Sequence, residues 1–152
     1  MPVTRSPRRL SAAAVVIAAS LAACGSSGPS ESHFERTVNL ICLQADESLG
    51  VSPTQIKSAR SFGEEISRTL PIYARELRQL RAVKPASSNA GNYATMLRLL
   101  ARENVLLRNA RAPLLAGKLG AAKRFTTAVE PVALKAYEVE TKMGLQVCAK
   151  ST

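Results

Sequence analysis

Eleven carboxylates, three cysteines and a single histidine are the side chains of this 152-residue sequence best suited to acid–base, nucleophilic or metal chemistry. Their spacing works against most of it. Glu64 and Glu65 are neighbours, so on a helix they diverge by about 100°, and Glu138 and Glu140 stand about 200° apart. His33 has no Glu three residues before it, so the Glu-x-x-His pair of di-iron bundles is missing. Cys42 and Cys148 have no His or Cys neighbours at ligand spacing, which argues against a metal site. The chain has no Gly-x-Ser-x-Gly and no phosphate loop ending in Gly-Lys-Ser/Thr. Neither a nucleophile–base pair nor a ligand set assembles, so neither enzyme activity nor a cofactor is expected.

The elements that must position these residues are helices. Val, Ile and Thr nowhere alternate convincingly with polar residues, whereas apolar residues recur at three- and four-residue spacing. A first helix is predicted from Glu31 to Leu49, capped by Ser30, stopped by Gly50, with Phe34, Val38, Ile41 and Ala45 inward and Cys42 bordering that face. Ser52-Pro53-Thr54-Gln55 gives a cap, a first-turn proline and a capping-box Gln, predicting the second helix from there through Ile66, Tyr73 and Leu80. Pro71 lies within it, and the unbroken phase of the apolar face favours a kink over a split. Residues 82–90 read as a linker. A third helix is predicted over 91–112, ended or bent by Pro113, then a turn over 114–120. Within that turn Gly117-Lys118-Leu119-Gly120 matches the Gly-x-x-Gly loop of KH domains in letters, but that fold needs strands. A fourth helix runs to Met143 with Pro131 as a second kink, capped by Gly144, with Leu145 making the cap's apolar contact. Tyr73, Tyr93 and Tyr137 are candidates to line a pocket, yet aromatics at helical spacing more often belong to the core.

The first residues differ from the rest. Arg5, Arg8 and Arg9 precede the apolar run Leu10–Ala23, which has the length of a signal-peptide apolar region and is short for a membrane span. A buried N-terminal helix would explain neither the arginines nor the change to Gly-Ser-Ser-Gly-Pro-Ser after it. Leu21-Ala22-Ala23-Cys24 resembles the lipobox of bacterial lipoproteins and lies where that family is cleaved. The resemblance implies a lipid on the Cys24 sulfur, removal of residues 1–23, a tether over 24–30 and a domain over 31–152. It implies attachment to the cell membrane on its extracytoplasmic side, with two or more acyl chains needed for stable anchoring. Arg8-Arg9 is a weaker hint of twin-arginine export, since Ser11 replaces the expected apolar residue.

With Cys24 lipidated, Cys42 and Cys148 remain, and an even pair in an exported chain favours a disulfide. The expected fold is therefore all-α, an up-down four-helix bundle with kinked helices stapled by Cys42–Cys148. In that topology Cys148 would start near the beginning of the first helix, so the tail after Gly144 has to fold back along it. The lipobox, the early Ile-Cys-Leu-Gln-Ala and the late Met-Gly-Leu-Gln-Val-Cys together resemble small helical lipoproteins of high-GC Gram-positive bacteria, a resemblance that carries no functional residues with it.

Charge is the remaining lead. The chain carries 21 bases and 11 acids, and without the three leading arginines 18 bases remain, a net of +7. From Arg98 to Arg124 there are seven bases (Arg98, Arg102, Arg108, Arg111, Lys118, Lys123 and Arg124) and one acid, Glu103. Such a surface suits anionic lipid headgroups, an anionic envelope polymer or an acidic protein partner. Arginines solvating exposed helix faces would give the same pattern. Export argues against nucleic acid as the partner. The expected function is a non-enzymatic binding or envelope-interaction module, and the alternative is a carrier of a small apolar ligand or lipid.

Overall fold

The computed structural model describes residues 28–50 and 56–151; Cys24, its signal and the Ser52–Gln55 capping motif lie outside them. Four long helices follow one another: α1 (Glu31–Leu49), α2 (Ala59–Ala82), α3 (Ala90–Leu115) and α4 (Leu119–Lys142), with a short α5 (Gln146–Ser151) at the end. A single 3₁₀ turn, Ser87–Asn89, leads into α3.

The ends of α1 are those the sequence predicts. Ser30 is extended and its Oγ accepts from the His33 N–H at 3.4 Å, while Gly50 leaves the helix at φ +70°. The start of α2 differs. Ile56–Ser58 are not helical, and Ser58 rather than Ser52 caps the described helix. Its Oγ accepts from the Ser61 N–H at 3.1 Å while Ser61 Oγ accepts from the Ser58 N–H at 3.0 Å. That reciprocal pair satisfies two otherwise unpaired donors of the first turn. Both α2 and α4 run unbroken through their prolines, Pro71 and Pro131. Pro113 does not end α3, which continues to Leu115 and closes with Gly117 N–H to Leu114 O and Lys118 N–H to Pro113 O. The αL residue that this closure needs is Gly117, at φ +71°. The same motif ends α4: Gly144 donates to Thr141 O, Leu145 donates to Glu140 O, and the Leu145 side chain is fully buried.

Consecutive helices pack on one another, and α5 packs on both α1 and α4. The core has two parts. The larger joins Phe34, Val38 and Cys42 of α1 with Leu80, Tyr93, Met96, Val139, Met143, Leu145 and Cys148. There Phe34 and Tyr93 meet edge to face at 5.0 Å between ring centroids. The smaller part, Ile66, Ala110, Leu114 and Ala122, holds the far ends of α2, α3 and α4 together. The tail after Gly144 does fold back, as a helical turn: the Val147 N–H donates to Asn39 Oδ1 at 3.2 Å, and Cys148 is bonded to Cys42 with Cα atoms 5.1 Å apart.

Tyr93 donates through its hydroxyl to the Leu80 carbonyl at 2.6 Å within this core, and its ring is almost wholly buried. Burial raises the pKa of that phenol, so it remains a donor. Replacing it (Tyr93→Phe) keeps the edge-to-face contact and removes one buried hydrogen bond. Denaturant unfolding should show a loss of about 1–2 kcal/mol with an unchanged slope.

Candidate functional site

The bundle has two chemically different ends. Glu31 accepts from Ser88 Oγ and Asn89 Nδ2, each at 3.4 Å, which puts the start of α1 beside the α2–α3 connection. Gly144 lies against the Glu35 carboxylate, so the end of α4 is there too. The chain enters at this end, from the segment that carries Cys24. The opposite end gathers the start of α2 and the α3–α4 turn. With 26 residues at 1.5 Å each, α3 separates the two by about 39 Å.

Basic side chains collect at the far end. Arg60 Nε donates to Leu115 O at 3.4 Å, and Arg111 Nε donates to Ser67 Oγ at 2.7 Å across the α2–α3 seam. Lys118 stands at the turn, and Lys123 and Arg124 lie within the first two turns of α4, Arg124 stacked 4.5 Å from the Phe125 ring centroid. From Glu103 to Glu130 the chain has no intervening acid, so Arg108, Arg111, Lys118, Lys123 and Arg124 are diluted by none of their own segment. Exposed Ile56 and Leu119 add apolar surface at the same end. Arg98 and Arg102 are exposed as predicted but sit one turn apart near the middle of α3, the former donating to Thr95 Oγ1 at 3.0 Å. The basic set is therefore split in two, and Arg60 from the start of α2 joins the far-end group.

A second feature gathers residues from all four long helices, Tyr73 among them. Between the four long helices and α5 lies a cavity of about 80 Å³, enough for a few water molecules. Each long helix contributes one carboxyl to its wall: Asp46 from α1, Glu76 from α2, Glu103 from α3 and Glu140 from α4. Tyr73, Asn104 and Cys148 complete its polar lining, and none of the described lining residues is basic. Glu140 is almost fully buried. Burial first, and then the charges of Glu140, Asp46 and Glu103, together raise the Glu76 pKa to about 7. Burial also raises Glu103, and it raises Tyr73 together with the surrounding carboxylates. The Nδ2 of Asn104 donates to Leu100 O at 3.1 Å, whereas its Oδ1 is enclosed and meets no donor among the described residues. A sequence signal existed. Glu76 sits between Tyr73 and Leu77–Leu80, and Glu140 between Ala136 and Met143, each inside an apolar stripe rather than opposite it.

The acid pairs considered from sequence are otherwise separated as helical geometry demands. Glu138 is exposed while Glu140 is buried; Glu64 is exposed while Glu65 pairs with Arg68. Tyr137 is half exposed rather than core, and His33 is exposed on the first turn of α1. Among the described residues no group of three or more His, Cys, Asp or Glu side chains is arranged to hold a metal ion, and no helix is long and apolar enough to cross a membrane. In comparisons with protein-family models, with curated proteins and with solved structures, no match to this chain is found.

Proposed function

We propose that this chain is an extracytoplasmic lipoprotein, held to the cell membrane through a lipid on Cys24, whose bundle is a non-enzymatic module that binds an anionic polymer of the envelope. The observation that carries the reading is the acid-free basic segment between Glu103 and Glu130, folded at the end of the bundle opposite the tether. A cluster of arginines and lysines without interleaved acids binds polyanions by charge, and the binding weakens with salt. Its position about 39 Å from the entry of the chain favours a partner beyond the anchoring surface over the headgroups of that surface.

Two measurements test it. The intact mass of the protein from a membrane fraction should correspond to a chain beginning at acylated Cys24; an unmodified full-length chain would sink the address. Binding to an immobilised teichoic-type polymer should weaken at least tenfold between roughly 50 and 300 mM salt. It should be lost when Arg60, Arg111, Lys123 and Arg124 are changed to Glu, while Arg98→Glu with Arg102→Glu changes it by less than about threefold. Equal losses from both sets would mean that general charge, not the far end, does the binding.

A second reading has one observation in its favour. Val129, Ala133, Leu134 and Tyr137 of α4 line an open groove, with Leu134 58% and Tyr137 48% exposed. Carriage of an apolar ligand there predicts a rise in melting temperature with lipids or fatty acids. An unchanged melting temperature across such a panel removes that reading.

A further inference from the structure

We propose that the tether end of the bundle is a headgroup-binding surface, with Arg78, Arg81, Lys84 and Lys142 seated on the anionic lipids of the anchoring membrane. The inference rests on the lipid at Cys24, and it assigns bases that the polymer reading leaves unused. From Leu77 to Arg102 the chain holds five bases and no acid. Three of them, Arg78, Arg81 and Lys84, are exposed and follow one another through the last turn of α2 and its exit toward the Ser87–Asn89 turn. Arg78 and Arg81 stand three residues apart, so they share a face of the helix. Lys142 is exposed in the last turn of α4, which finishes at the same end of the bundle.

The entering chain passes beside this group. A Cβ on Gly28 would stand 3.6 Å from Ser87 Oγ, and Ser87 is three residues beyond Lys84. Cys24 is four residues before Gly28, and four residues span at most about 14 Å. An acyl chain in the bilayer therefore keeps the exit of α2 close to the headgroups, where charges act over roughly 8–10 Å at moderate salt.

The acids of this end are turned to the protein. Glu31 accepts from Ser88 and Asn89, and the Glu35 carboxylate lies against Gly144. Exposed Glu138 stands one turn further back, between Lys135 and Lys142. Among the described residues no hydrogen bond or ion pair engages Arg78, Arg81 or Lys84, whereas Arg60, Arg68, Arg75, Arg98 and Arg111 each donate to a protein oxygen. Each base at an anionic surface strengthens attachment by about fivefold. Seated this way the bundle stands on the membrane and holds its far basic end about 39 Å out. The competing posture is a bundle tipped over onto that far end.

The experiment uses the acylated protein, its Cys24 lipid verified by mass, in vesicles of phosphatidylcholine alone or with about one-third phosphatidylglycerol. A brief pulse of a membrane-impermeant amine-reactive ester labels exposed lysines, and mass spectrometry reads labelling at Lys84 relative to Lys118 of the far-end turn. At low salt this ratio should fall at least about threefold from neutral to anionic vesicles and recover at high salt. Arg78→Glu with Arg81→Glu should abolish the fall, because both side chains are exposed and Lys84 remains as the reporter. An acylated chain whose ratio does not change overturns this posture and leaves the anchoring intact. A rising ratio overturns it in favour of the tipped bundle. A fall that survives the double substitution overturns it by assigning the protection to the tether alone. A chain without lipid on Cys24 overturns the anchoring and the posture together.

Discussion

Replacing both bridged cysteines (Cys42→Ser with Cys148→Ser), or reducing them, should lower stability by about 4–5 kcal/mol and the melting temperature by about 15–20 °C. The size comes from the span of the bridge. A separation of 106 residues makes the closed loop nearly the whole described domain, and the entropy withdrawn from the unfolded chain grows with the logarithm of that length. The bridge joins two segments that meet in the main core: α1 rests mainly on α2 and α5, and the six-residue α5 follows the buried Leu145, with the Val147 N–H donating to Asn39 Oδ1. A helix that short has no stability of its own. Calorimetry with and without reductant checks the figure. A fall of less than about 5 °C would mean that α5 docks by packing alone.

Gly63→Ala should also be costly, by about 2–3 kcal/mol, even though alanine is the better helix former by about 1 kcal/mol. Gly63 is where α2 crosses the last turn of α3. A Cβ there would come within 2.7 Å of the Leu115 backbone nitrogen and 3.1 Å of the Leu114 carbonyl carbon. Backbone cannot swing aside as a long side chain would, so the two helices must separate. Separation would loosen the cluster of Ile66, Ala110, Leu114 and Ala122 and pull Arg60 from Leu115 O. The contrast is Gly91→Ala in the first turn of α3, where a Cβ meets nothing within 4 Å. That change should be neutral or stabilising by up to about 1 kcal/mol, and the pair of melts separates close approach from propensity.

How much of this was legible from the residues depended on whether the deciding interaction is local. Ser30, Gly50 and Gly144 act through neighbours within one turn, so the ends of α1 and α4 could be read directly. The pairing of Cys42 with Cys148 followed from counting cysteines, although the fold-back that joins them was an inference from topology. Ser58 was missed because its reciprocal partner is Ser61, where the usual signature has Glu or Gln, and Pro53 gave a louder signal nearby. Pro113 misled in the other direction: a proline costs one backbone donor, and the packing of Leu114 outweighs that loss, so α3 keeps its last turn. Six residues are too few for periodicity to reveal α5. The acid-lined cavity belongs to no single helix. Asp46, Glu76, Glu103 and Glu140 each look like one polar residue in a stripe, and only the packing of four stripes makes them neighbours.

The covalent link between α1 and α5 also determines how the domain bears a load. A pull on the N-terminus of α1 acts along that helix, and without the bridge it would peel α1 away turn by turn. Cys42 is the twelfth of the nineteen residues of α1, so peeling can advance only as far as that point. Beyond it the force passes through sulfur into α5 and the Gly144 corner of α4, and the helices that follow are loaded as one closed ring. The domain then yields in two stages, a short extension at low force and a much stiffer remainder.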